Sequence, residues 1–106
     1  MNVKEHEYAM IQVAMMMHVR PGTINEFESA IRRATPLMAR AAGYIGQELY
    51  KCVEEADKYM LLVTWRSITD HIAGFCKSDD YAQWAALLQP YCDPPPASLH
   101  YVKIKM

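Results

Sequence analysis

The sequence predicts an α+β fold in a single domain, with strands and helical regions in the order β-α-β-β-α-β. Three observations carry that prediction. An alternating and largely apolar run, Tyr8 to Val19, reads as a strand whose two faces both leave water. Ile24, Phe27, Ile31, Ala34, Met38 and Ala41 follow at steps of three and four, the spacing of one helix face. Two further strand-like runs then flank the short polar segment Glu54-Glu-Ala-Asp57, which suits an antiparallel hairpin.

Each element has its own start and stop. Along the first strand, Ile11, Val13, Met15, Met17 and Val19 alternate with Tyr8, Met10, Gln12, Ala14, Met16 and His18. Pro21-Gly22 turns the chain, and Thr23-Ile-Asn-Glu26 has the spacing of a capping box at a helix start. Pro36 lies inside the helical stripe, where it should kink the helix or split its last turns, and Gly43 is placed to end it. Tyr44 to Val53 and Tyr59 to Trp65 are the second and third strands. Ser67-Ile-Thr-Asp70 is an N-cap pattern for a short helix with Ile68, Ile72 and Phe75 inward. Ser78-Asp-Asp80 restarts the helix, with Tyr81, Trp84, Ala85 and Leu88 on one face and the acidic pair at the favourable end. Pro90 ends it, Asp93-Pro-Pro-Pro96 forms a stiff extended connector, and Ser98 to Lys105 is the fourth strand. On that strand His100, Val102 and Ile104 share one face and Tyr101 lies on the other. With right-handed crossovers this is the ferredoxin-like split arrangement, a four-stranded antiparallel sheet with helices on one face.

Composition excludes several functions. Over residues 1–106, eleven Lys and Arg stand against twelve Asp and Glu, a formal charge of −1 that gives no footprint for nucleic acid or an anionic membrane. A 52% apolar share excludes disorder and predicts one real core. Cys52, Cys76 and Cys92 are odd in number and widely spaced, so reduced thiols in a cytoplasmic protein are the expectation. No metal-ligand spacing occurs, so no metal is expected, and the P-loop and G-x-G-x-x-G motifs are absent.

Two helices cover one side of a four-stranded sheet. The other side would carry Tyr8, Met10, Ala14, Met16, Met60 and Leu62, an apolar surface that asks for a partner. A second copy, sheet against sheet about a two-fold axis, is the simplest one.

Several landmarks together resemble a known family. A Met-rich first strand ends in His-Val-Arg-Pro-Gly22, and the helix after it contains Phe27-Glu-Ser-Ala. Next come Ala-Gly43-Tyr-Ile-Gly-Gln-Glu-Leu-Tyr50 and Tyr59-Met-Leu-Leu-Val-Thr-Trp65-Arg-Ser67, and then Phe75, Ser78, Tyr81 and Trp84. From about Tyr8 to Lys105 the chain is similar to the antibiotic biosynthesis monooxygenase (ABM) domain family of dimeric α+β barrels. The resemblance implies two sheets closing into a barrel across a dimer, and a pocket between each subunit's own sheet and helices. It implies a range of activities: oxygenation of polycyclic aromatics or quinols without metal or flavin, heme degradation, or none established. The heme-degrading branch uses a first-strand Asn and a late second-helix His. This chain has Met15 and Ala85 there, which makes heme degradation the lesser expectation.

Cofactor-free oxygenation of a small aromatic or quinone-like molecule needs a water-poor pocket, donors for a phenolate oxygen and a base. The resemblance places Trp65 as a pocket indole that orients the substrate; as a residue alone, Trp65 could equally be a core aromatic. His71 can reach the inward face between Ile68 and Phe75, and its chemistry suits a general base, although a surface histidine is the plainer reading. Many relatives carry a histidine nearer Gly74 or Phe75 instead. Met15, Met17, Phe27, Ile31, Phe75, Tyr81 and Trp84 are the expected pocket lining. His18 and His100, on strands, read as hydrogen-bonding or exposed side chains, and Glu48 and Tyr50 as further polar candidates. The rival from another class is a non-catalytic small-molecule-binding or stress-associated dimer.

Overall fold

The computed structural model describes residues 10–106. Strand β1 (Ile11–His18) leads through a turn into helix α1 (Ile24–Ala39), then to strands β2 (Tyr44–Lys51) and β3 (Lys58–Trp65). A π-type turn (Asp70–Gly74) and a 3-10 turn (Phe75–Lys77) precede helix α2 (Asp79–Leu88), and strand β4 (Ala97–Tyr101) follows a further 3-10 turn (Gln89–Tyr91). The expected β-α-β-β-α-β order holds. The four strands lie in the order β2-β3-β1-β4, with every neighbour antiparallel. Each helix therefore crosses over one intervening strand, the ferredoxin-like arrangement.

Alternation along the strands divides the sheet. Ile11, Val13, Met15 and Met17 of β1 and Tyr59, Leu61, Val63 and Trp65 of β3 are all buried beneath the helices. Phe27, Ala30, Ile31, Ala34 and Met38 of α1 meet them, so the stripe read from the sequence is the buried one. On the opposite side the register sets Glu48, Leu62, Ala14 and Leu99 in one row and Tyr50, Met60, Met16 and Ala97 in the next. Met10, Met16, Leu99 and Tyr101 are exposed there, while Tyr8 lies outside the described residues.

Several local expectations are corrected. The first strand begins at Ile11 and ends at His18, with Val19 forming only an isolated bridge to Cys92. The capping box does not form: the Thr23 hydroxyl donates to the Arg20 carbonyl at 2.7 Å, making a turn instead of a cap. Pro36 does not split α1, which runs on to Ala39. Just before it, the Thr35 hydroxyl donates to the Ile31 carbonyl at 2.9 Å, an added side-chain bond in the turn where proline offers no N–H. Gly43, beyond the helix end, takes φ +85° in the turn to β2. The second strand stops at Lys51, not Val53, and β4 stops at Tyr101, leaving Ile104 72% exposed.

The segment before α2 departs most. Ser67 caps it as expected, accepting from the Asp70 amide at 3.1 Å, and Ser78 caps α2 by accepting from the Tyr81 amide at 3.1 Å. Between them, the Phe75 amide bonds to the Asp70 carbonyl, five residues back, so the turn is wider than α. That widening changes which side chains point inward. Ile72 is exposed, whereas His71 is buried beside Phe75.

Candidate functional site

A cavity of about 380 Å³ opens beneath α2, between that helix, β1, β4 and the proline-rich connector. Its walls are mainly apolar: Met15 and Met38 at the floor, Phe75, Trp84 and Leu88 at the side, and Pro95 and Pro96 across the connector. His71, Cys76 and Ser98 supply polar groups. None of its lining residues carries a carboxylate, ammonium or guanidinium group.

The π-type turn drives the His71 ring against Trp65, with centroids 5.4 Å apart. Its Nδ1 lies 2.9 Å from Nε2 of His100 on β4, and its Nε2 lies 3.4 Å from the Cys76 sulfur. Both ring nitrogens are thus engaged. Burial, with a smaller contribution from the neighbouring His100, holds the His71 pKa down at about 4, so the ring is neutral near pH 7. Burial also lowers the pKa of His100 and raises that of the Cys76 thiol, which stays protonated. Phe75 packs between Trp65 and Trp84 at centroid distances of 5.7 and 6.5 Å, and Tyr81 stacks on Trp84 at 6.1 Å.

The expected site residues separate into groups. Met15, His71, Phe75, Tyr81 and Trp84 converge on the cavity. Trp65 is fully buried and stands behind His71, not in the lining, because β3 is a central strand roofed by the π-type turn. Met17 and Phe27 are core, with no exposed surface, and also lie outside this cavity. Ile31 borders a second depression, of about 440 Å³, between α1 and the β2-β3 hairpin. There the Tyr59 hydroxyl donates to Glu28 at 2.5 Å. Burial and that carboxylate push Tyr59 up to about 12.

Sequence reasoning missed Cys76, Ser98 and the two prolines as lining, and read His100 only as a hydrogen-bonding or exposed strand side chain, without its partner His71. Ser98 and His100 share the strand face turned toward the helices, opposite Met15 and Val13. The indole N–H groups of Trp65 and Trp84 are both buried and find no acceptor among the described residues. Trp84 borders the cavity, while its N–H nitrogen is itself shut off from solvent. Among the described residues, no group of three or more His, Cys, Asp or Glu is arranged to hold a metal, and no helix is long and apolar enough to cross a membrane.

Comparison with known proteins agrees with this architecture. Residues 10–87 match the family model for antibiotic biosynthesis monooxygenase. The protein YczJ of Bacillus subtilis (strain 168) is 42% identical over 92 residues, covering 87% of this chain and 97% of its own. A crystallised Bordetella bronchiseptica protein bearing the same family name superposes with TM-score 0.87 at 32% identity, over 92% of this chain and 99% of that one. SnoaB, a cofactor-independent oxygenase from Streptomyces nogalater, shares the fold at TM-score 0.73 and 17% identity, over 92% of this chain and 94% of its own. Family match, sheet order and helix placement coincide, and the chain belongs to the antibiotic biosynthesis monooxygenase family.

Proposed function

We propose that this protein is a cofactor-independent monooxygenase that oxidises a small aromatic or quinone-like substrate in the cavity beneath α2, working as a homodimer joined through its open sheet face. The observation that carries this reading is the cavity's composition: aromatic, methionine and proline walls with a neutral imidazole and a thiol among them. Such walls favour a flat apolar ring system, and the few polar groups fix how its oxygens point. The SnoaB likeness supports the fold for this chemistry, and the chemistry itself is the proposal.

An anthrone or hydroquinone bound there gives a proton to His71 Nε2, displacing the Cys76 thiol from that nitrogen. The electron-rich anion passes one electron to dioxygen, and the two radicals combine. The peroxide anion so formed takes its proton back from His71 Nε2, and for an anthrone the hydroperoxide then loses water, so CH₂ and O₂ become C=O and H₂O. Trp65 acts through His71, against whose ring it packs.

Oxygen uptake against a panel of anthrones and hydroquinones tests this. His71→Ala should slow turnover about a hundredfold or more, the range of a lost general base. Trp65→Phe should lower kcat and leave KM unchanged, because Trp65 does not border the cavity. Uptake no faster than without protein would reject the enzyme. The second reading, a small-molecule-binding protein, draws on one observation: in the empty cavity both His71 nitrogens are already engaged. Binding of the same compounds without oxygen uptake would establish that reading.

A further inference from the structure

We infer that His71 and His100 form a proton relay that carries the substrate's proton out of the cavity during the oxygen step and returns it afterwards, His100 being the group that holds the charge. This rests on the oxygenase reading above. The geometry is a chain: Cys76 Sγ, 3.4 Å from His71 Nε2, and His71 Nδ1, 2.9 Å from His100 Nε2. His71 is 4% exposed and borders the cavity; His100 is half-buried on the edge strand β4 and is not among the lining residues. The chain therefore runs from substrate space toward the rim of the sheet.

Donor direction along it follows from what each group does best. A thiol donates to an imidazole nitrogen better than its sulfur accepts, and in the reverse direction the S–H would have no partner in this chain. So Cys76 donates to His71 Nε2, His71 carries its proton on Nδ1, and Nδ1–H donates to His100 Nε2. A substrate hydroxyl, that of a hydroquinone or of the enol form of an anthrone, then takes the place of the thiol. As its proton arrives at His71 Nε2, the Nδ1 proton passes to His100. His71 ends neutral in its other tautomer and His100 ends as the cation. Radical combination leaves a peroxide anion, which needs a proton before water can leave; His71 Nε2 gives that proton and recovers its own on Nδ1 from His100. The cycle is proton-neutral, as the conversion of CH₂ and O₂ to C=O and H₂O requires.

A relay solves a difficulty that a simple base would face. His71 is too deeply desolvated to hold a positive charge near neutrality, so it is poor at accepting a proton and keeping it. It needs only to exchange one for another. Around the cavity lie the Cys76 and Cys92 thiols, both pushed up by burial, and the Tyr81 ring, with Val13 opposite His100 on β1; none of the cavity's lining residues carries a carboxylate, ammonium or guanidinium group.

Two measurements test the relay. In ¹⁵N-labelled protein without substrate, His71 should be the Nδ1–H tautomer, and on acidification His100 should take up a proton first. An Nε2–H tautomer at His71, or first protonation there, overturns the relay. Second, His100→Gln keeps an acceptor for His71 Nδ1–H but cannot take a proton. Turnover should fall on the order of tenfold or more with KM unchanged, and added imidazole should restore much of it. Unchanged turnover overturns the relay, and so does a loss that imidazole does not relieve, which is what a merely bracing role would give. If no compound in the panel is oxidised by the wild-type protein, the oxygenase reading fails and the relay with it, whereas oxidation by the wild type with unchanged turnover in His100→Gln overturns the relay alone.

Discussion

At His71 one aromatic ring couples the site to stability. Its pKa is about 4 in the folded protein, against an ordinary 6.5, so between these values the unfolded chain binds more protons than the native one. Stability contributed by the neutral ring is complete above pH 6.5 and is lost as pH falls toward 4, by on the order of 3 kcal/mol. His100 shifts the same way and adds to the slope. The carboxyls of Glu28 and Asp80 are held low by the Tyr59 hydroxyl and the Arg40 guanidinium, so they lose their contribution only below their ordinary 4.5 and 3.8. Urea unfolding between pH 6.5 and 4.5 therefore reads the histidines, and His71→Gln should flatten that slope without abolishing it. His71 was legible as an inward candidate from its place between Ile68 and Phe75. Its partnership with His100 was not, because residues 29 apart meet only once the sheet has formed.

Among the elements, the segment between β3 and α2 decides which side chains reach the cavity. A 3.6-residue period fits Ile68, Ile72 and Phe75, and periodicity alone does not reveal the i→i+5 bond that turns Ile72 outward and His71 inward. The wide turn is fixed at its start. Asp70 is capped by Ser67, its carboxylate accepts from Arg66 Nε at 3.0 Å, and it packs against Gly43. A Cβ at Gly43 would overlap the Asp70 carboxyl and would also sit at φ +85°. Gly22 has a similar φ of +83° with open space around it. Gly22→Ala should therefore cost only the backbone term, about 1–2 kcal/mol, and Gly43→Ala distinctly more, as denaturation midpoints would show. Beyond α1, Arg40 grips Asp80 through two bonds of 2.8 and 2.6 Å, joining the end of one helix to the first turn of the other. Strand and helix identity could be read because alternation and stripe repeat over many residues. The capping box at Thr23 could not, since its hydroxyl had a competing acceptor in the Arg20 carbonyl one turn back.

Across the whole molecule, the same short strand serves two surfaces. In β4, Ser98 borders the cavity and His100 turns toward His71, while Leu99 and Tyr101 are 61% and 51% exposed on the open sheet face. With Met10 at 53% and Met16 at 42%, they continue the apolar rows of β1 and β3 to the edge of the sheet. A second copy placed sheet to sheet would remove on the order of 1,200–2,000 Å² from water, the size of a stable interface. It would also brace a five-residue edge strand that otherwise pairs on one side only. The expected particle in sedimentation at micromolar concentration is thus twice the 12.2 kDa chain mass. Leu99→Asp places a charge within that contact and should give folded particles of the single-chain mass, with helix and sheet content unchanged by circular dichroism. Because His100 is the next residue, the same substitution should also slow oxygen uptake although Leu99 points away from the cavity. A wild-type protein that sediments at 12.2 kDa would reject the dimer, and a dissociated Leu99→Asp chain with full turnover would show that β4 holds His100 without help from the partner.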